Sequence, residues 1–82
     1  MSVNREVLFT TMLNSIILKY GLMLTTTQCA EILGISNRTL DERRKASINC
    51  PQYVQNNKKS IMYPAQNIVL YQLEITDQSI QI

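Results

Sequence analysis

The fold is decided by residues 24–40, which read LTTTQCAEILGISNRTL. Thr25 is a favourable helix N-cap, and Gln28 three residues later completes a capping box by reaching back to the Thr25 backbone N–H. Gly34 is free to adopt the backbone conformation that ends this helix, and Ser36 offers a second N-cap directly afterwards. The segment therefore predicts two short helices joined by a tight turn, with the dimensions of a helix-turn-helix.

The second helix of this pair is predicted from Asn37 to about Ala46. Ala30 is small where the two helices must approach closely, Ile35 fills the corner between them, and Leu40 anchors the second helix to the core. Cys29 lies on the inner face of the first helix and is expected in the core. Short helix pairs are common, so this spacing alone does not establish a function.

A longer helix is predicted before the pair, from Val3 to Lys19, followed by Gly21 at the position of a C-terminal cap. Its apolar residues recur at three- and four-residue steps and form a wide stripe: Val7, Leu8, Met12, Leu13, Ile16, Ile17 and Tyr20. A stripe this wide either completes the core or pairs with a second copy of the chain.

After Ser47 the sequence favours strands. Residues 52–55 and 60–63 are rich in β-formers and flank Asn56-Asn57-Lys58-Lys59, which predicts a hairpin with a basic tip. Pro64 is expected in the first turn of a final helix, with apolar positions at Ile68, Leu70, Tyr71 and Leu73. The tail from Ile75 to Ile82 is either a short strand or a frayed end.

The expected fold is thus mainly α with a small β-hairpin, a winged helix-turn-helix with an extra N-terminal helix. Its expected units are an N-terminal helix that is a possible oligomerisation element (residues 1–23), a DNA-binding domain (residues 24–74) and a C-terminal tail (residues 75–82). With 82 residues and a hydrophobic fraction of 45%, the chain is expected to form a single small globular domain.

Composition argues against several classes of protein. No apolar run is long enough to span a membrane and no secretion signal is predicted, so a cytoplasmic location is expected. Histidine is absent, and Cys29 and Cys50 are far apart, which leaves no usual zinc site and no Cys–His or Ser–His pair. We therefore expect no enzyme activity, no metal and no cofactor.

The net charge of +2 is unevenly distributed. Residues 38–59 contain six basic and two acidic side chains, whereas the rest of the chain contains two basic and four acidic ones. A positive segment within a weakly charged protein is typical of a face that binds a polyanion. A solvated run of charges is the alternative explanation.

The run from Leu24 to Leu40 resembles the opening of excisionase and AlpA-type regulators, which are small MerR-like winged helix-turn-helix proteins of phages and other mobile elements. Residues 50–54 resemble the proline-containing entry to the wing of that family, and residues 61–63 with 67–68 resemble its exit strand and last helix. The resemblance covers about residues 24–74. Arg43 departs from it, since the family usually has an apolar residue late in the recognition helix.

The resemblance and helix geometry together imply roles for individual residues. The start of a recognition helix reaches base edges in the major groove, so the predicted base contacts are Asn37 and Arg38, with Glu42 either accepting from cytosine or repelling phosphate. The wing-tip residues Asn56 and Asn57 either enter the minor groove or only form the turn. The predicted phosphate contacts are Ser36, Thr39, Arg43, Arg44, Lys45, Lys58 and Lys59.

These observations predict a sequence-specific double-stranded DNA-binding protein of mobile-element type, either an excisionase-like architectural factor or a transcriptional regulator. One module of this size makes few base contacts, so a homo-oligomer or cooperative array on DNA is expected. A recombinase or RNA polymerase is a possible further partner. The alternative is a protein–protein adaptor or anti-repressor that keeps the fold without DNA binding. Asp41, Glu42 and the broad apolar face of the N-terminal helix favour this alternative.

Overall fold

The computed structural model describes residues 5–57 and 60–80. Within these ranges the protein is mainly helical with a small antiparallel sheet, as expected. Its elements in chain order are α1 (Arg5–Tyr20), β1 (Met23–Leu24), α2 (Thr26–Leu33), α3 (Asn37–Ala46), β2 (Val54–Asn57), β3 (Ser60–Pro64) and α4 (Ala65–Ile80).

The two central helices have the predicted ends. The Thr25 side chain accepts a hydrogen bond from the Gln28 backbone N–H (3.2 Å), and the Gln28 side chain accepts one from the Thr25 N–H (3.0 Å), which completes the predicted capping box. Gly34 ends α2 in the left-handed region at φ +72°, and Ser36 caps α3 through the Thr39 N–H. The local signals in residues 25–40 therefore determine both helices.

One hydrophobic core joins the helices to the sheet. Leu40 anchors α3 there as predicted, and Cys29 and Ala30 are the buried core residues of α2. Tyr63 is also fully buried, so a strand residue fills the space beneath the helix pair. The buried apolar side chains are Ile16, Leu24, Cys29, Ala30, Leu40, Tyr63, Ala65, Ile68, Val69 and Leu73.

Helix α1 packs against α4 and completes the core, which is one of the two roles expected for it. Ile16 is its buried residue, and Phe9, Met12, Leu13, Ile17 and Tyr20 pack partly buried around it. The helix ends at the predicted glycine: Gly21 has φ +96°, and its N–H donates to the Ile17 carbonyl (2.9 Å).

The sheet has three strands in the order β1-β3-β2, one more than the hairpin that the sequence predicts. Met23 pairs with Pro64 and Leu24 with Tyr63. This two-residue strand has no alternating pattern of its own. Its partner is distant in sequence, so only the folded chain defines it.

The hairpin is present, but its boundaries differ from the prediction. Strand β2 begins at Val54 rather than at residue 52, and it includes Asn56 and Asn57, with Asn57 opposite Ser60. The prediction that these two asparagines form the turn is therefore wrong, whereas their contact with the minor groove stays a prediction. The pairing of β2 with β3 has an irregularity in register between Gln55 and Asn57. The predicted phosphate ligands Lys58 and Lys59 lie outside the described residues.

The junction between sheet and last helix also differs from the prediction. Pro64 is the last residue of β3, and α4 begins at Ala65. Proline has no N–H, so the next bond to the β1 side is donated by Ala65 to the Leu22 carbonyl (2.8 Å). Helix α4 continues to Ile80, so the strand alternative for the tail is wrong over residues 75–80.

Candidate nucleic-acid interface

The N-terminal ends of α2 and α3 meet at the protein surface. Thr27 is the second residue of α2 and Asn37 the first residue of α3, and the Asn37 Nδ2 donates to the Thr27 Oγ1 at 2.8 Å. Both residues are exposed, and neither helix has an acidic residue in its first turn. The positive ends of two helix dipoles therefore lie close together at this surface.

Arg38 and Glu42 form an ion pair one helical turn apart on the outside of α3. The Arg38 Nε lies 3.7 Å from the Glu42 Oε2, and the two side chains are 88% and 66% exposed. Exposed pairs of this kind contribute little to stability. The structure thus brings Arg38 together with Glu42, and it places Asn37 beside Arg38 at the start of the same helix.

Ser36 and Thr39 form the N-terminal cap of α3. The Ser36 Oγ accepts from the Thr39 backbone N–H (3.1 Å), and the Ser36 hydroxyl donates to the Thr39 Oγ1 (2.9 Å). Both residues therefore stabilise the end of α3 at which Asn37 lies. Any contact of theirs with a phosphate has to share these hydroxyl groups.

The three basic residues at the end of α3 have different surroundings. Lys45 is exposed. Arg43 is half-buried and lines a cleft of about 400 Å³ together with Leu33, Ile35 and Tyr71. Arg43 thus lies beside apolar side chains, at the position where the family that the sequence resembles usually has an apolar residue.

Arg44 faces the protein. Its side chain is 18% exposed, its Nη2 lies 3.5 Å from the Asp41 Oδ1, and its guanidinium lies 5.8 Å from the centre of the Tyr53 ring. Its Nε is buried and has no hydrogen-bond partner among the described residues. Of the basic residues predicted to contact phosphate, Arg44 is therefore placed to connect α3 with the segment that leads into β2.

The tyrosines near the hairpin contact neighbouring parts of the fold. Tyr53 and Tyr63 lie with ring centres 6.1 Å apart and planes tilted by 55°. The Tyr71 hydroxyl donates to the Asn49 carbonyl (2.9 Å), which ties α4 to the loop after α3. The loop between α3 and β2 is thus held by aromatic side chains from two directions.

Neither thiol is an activated nucleophile. Burial raises the pKa of Cys29 to about 12. Burial also raises the pKa of Cys50, although the Tyr63 hydroxyl and the positive charges of Arg44 and Arg43 oppose the shift. Burial likewise raises the pKa of Tyr63 above its ordinary value. All three groups stay protonated at neutral pH.

Within residues 5–57 and 60–80, no cluster of three or more histidine, cysteine or acidic side chains is arranged to hold a metal ion. No helix in the same part of the chain is long and apolar enough to cross a membrane.

Thr27 was not among the residues singled out from the sequence. It is ten positions from Asn37, and both are polar surface residues of ordinary type. The one available signal was geometric: in a tight pair of helices, the second residue of one helix can reach the first residue of the next.

No family model, no curated protein and no solved structure matches the chain. The resemblance of residues 24–74 to excisionase and AlpA-type regulators therefore stays a prediction from the motif.

Proposed function

We propose that the protein binds double-stranded DNA with sequence preference, with α2 and α3 acting as a helix-turn-helix and the β2–β3 hairpin as its wing. Its proposed role is that of a mobile-element protein, either an excisionase-like architectural factor or a transcriptional regulator. Several copies would bind adjacent sites, because one short recognition helix reads only a few base pairs. A recombinase or RNA polymerase is the proposed further partner.

One observation carries this proposal: two helix starts without acidic residues meet beside the exposed side chain of Arg38. Helix N-termini attract phosphate through their free N–H groups and their dipoles. Asn37 and Arg38 at the same place have the donors and acceptors that read adenine and guanine. The surface therefore combines attraction for a polyanion with groups able to distinguish bases.

Within this proposal, Asn37 and Arg38 contact bases, and Glu42 orients the Arg38 guanidinium while keeping its own carboxylate near the groove. Lys45 contacts phosphate, together with the hairpin residues Lys58 and Lys59. Arg44 is left out of the phosphate set because it is engaged with Asp41 and Tyr53.

A second candidate function is that of a protein–protein adaptor or anti-repressor. Two apolar side chains near the junction of α1 and β1 favour it, because Leu18 is 88% exposed and Leu22 is 68% exposed. Exposed apolar side chains of this size are available for contact with another protein.

The main experiment is selection of bound duplexes from a random library by the purified protein, followed by sequencing. We expect a short enriched motif, and Arg38→Ala should lower the preference at one or two positions of it. Lys19→Ala is the matched control, because Lys19 is a basic residue on α1, outside the proposed interface, with a side chain 68% exposed. An unchanged motif in Arg38→Ala would refute the assigned reading surface.

Salt dependence separates the two candidate functions. If phosphates are bound, the logarithm of the association constant falls linearly with the logarithm of salt concentration. Lys45→Ala and Lys59→Ala should each reduce the slope of this salt dependence by about one unit. Each should also weaken binding to all duplexes to the same extent. Failure of the wild-type protein to retain any duplex at low salt would leave the adaptor function as the better candidate.

A further inference from the structure

We infer that Thr27 is a positioning residue that sets the side-chain amide of Asn37 for base recognition, so that sequence preference depends on a hydroxyl group of the other helix. The inference rests on the proposed function and extends it from the recognition helix to α2.

The contact has the capacity for this role. The Asn37 Nδ2 carries two hydrogens, and one of them is donated to the Thr27 Oγ1 at 2.8 Å. One N–H and the Oδ1 remain, and these two groups are what asparagine uses in its paired hydrogen bonds to adenine. The inference requires that Thr27 accepts the hydrogen that points away from Oδ1, because the paired contact with adenine uses Oδ1 and the hydrogen beside it.

Without this contact the amide would be poorly oriented. Asn37 is an exposed residue at the first position of α3, and the terminal torsion of asparagine is broad. A hydrogen bond from α2 restricts that torsion before DNA arrives. A preorganised group loses less conformational entropy when it binds. The fixed orientation of the amide therefore favours the base whose hydrogen-bonding groups match it.

The helix pair does not need this contact to form. The Ile35 N–H donates to the Ala30 carbonyl at 3.1 Å, and the fully buried Leu40 holds α3 on the core. The Thr27–Asn37 bond is exposed, and exposed bonds between neutral side chains add little net stability because water competes for both partners. Its effect is therefore expected on recognition rather than on folding.

The test compares Thr27→Val with Thr26→Val. Each replacement removes one threonine hydroxyl from the first turn of α2, but the Thr26 hydroxyl has no hydrogen bond among the described residues. Asn37→Ala identifies the base-pair position that the amide reads, and Thr27→Ser restores the oxygen. The readouts are duplex selection with sequencing and the thermal midpoint of each free variant.

We expect Asn37→Ala to abolish the preference at one position of the motif. Thr27→Val should reduce the preference at that same position by about threefold to tenfold, as expected for partial loss of a paired base contact. Thr27→Ser and Thr26→Val should retain the wild-type motif, and the thermal midpoints of the two valine variants should agree.

Three results would overturn the inference. A wild-type motif in Thr27→Val would remove the role of Thr27, and an unaffected motif in Asn37→Ala would remove the role of the amide. A uniform loss of binding in Thr27→Val together with a lowered midpoint would mean a purely structural contact. If the protein does not bind DNA with sequence preference, the result is different, because the wild-type protein itself would then enrich no motif.

Discussion

Replacement of Arg44 by methionine tests whether its charge or its packing supports the contact between α3 and the hairpin. Arg44 is a mostly buried cation with one ion-pair partner, one aromatic partner and one buried N–H without a partner. Methionine has a similar length and keeps the aliphatic contacts, but it has neither the charge nor the N–H groups.

The opposing contributions have similar size. The contact with Tyr53 stabilises by about 0.5–1 kcal/mol, and the pair with Asp41, whose side chain is 43% exposed, adds about 0.2–1 kcal/mol. Removing the buried, unpaired Nε–H relieves a penalty of about 1–3 kcal/mol. We therefore expect Arg44→Met to have a free energy of unfolding within about 1 kcal/mol of wild type, or above it.

Arg44→Ala is the control that also removes the packing. Losing two to three buried methylene groups costs about 2 kcal/mol relative to the methionine variant, or about 8–16 °C in thermal midpoint for a domain of this size. Urea unfolding followed by helical circular dichroism measures both variants. If Arg44→Met loses as much stability as Arg44→Ala, the polar contacts dominate and the reasoning is refuted.

Four further predictions follow from caps, glycine conformation and thiol burial. Thr25→Ala should lower the free energy of unfolding by about 1 kcal/mol in urea, while Thr25→Ser, which keeps the oxygen, should not. Gly34→Ala should cost about 1–2 kcal/mol because of φ +72° alone, since an added Cβ meets no atom within 4 Å; an unchanged urea midpoint would contradict this. The free energy of unfolding should fall as pH rises from about 9 towards 12, because the pKa of the Cys29 thiol is 9.0 in the unfolded chain and about 12 in the folded one. Urea titrations at a series of pH values should show a weaker pH dependence for Cys29→Ala. A thiol reagent should modify half-buried Cys50 before Cys29, and mass spectrometry of partly labelled protein would reveal the opposite order.

The sequence was most informative where the structural signal is local. The ends of α2 and α3 follow from side chains that bond to backbone groups within three residues, at Thr25 and Ser36, and from a glycine at the turn. Such contacts form in the same way wherever the segment lies in the fold. The core positions of Ala30 and Leu40 followed from the same helical spacing.

The sequence failed where structure depends on a distant partner. Strand β1 exists because its two residues pair with Pro64 and Tyr63 of β3. A pattern of only two residues cannot predict that pairing. The assignment of Asn57 to a turn relied on local preference, whereas pairing with Ser60 places it in a strand. Partner-dependent hydrogen bonds override weak local propensities.

The candidate interface likewise has features that depend on local sequence and features that depend on tertiary packing. The sequence by itself determined that Asn37 and Arg38 stand at the start of a capped helix, because capping is local. Only the tertiary structure decided that Asn37 bonds to Thr27 across the turn and that Arg44 faces Tyr53. The reason is geometric: side chains on a helix point in directions set by its rotation, and which neighbour they meet depends on how the elements pack.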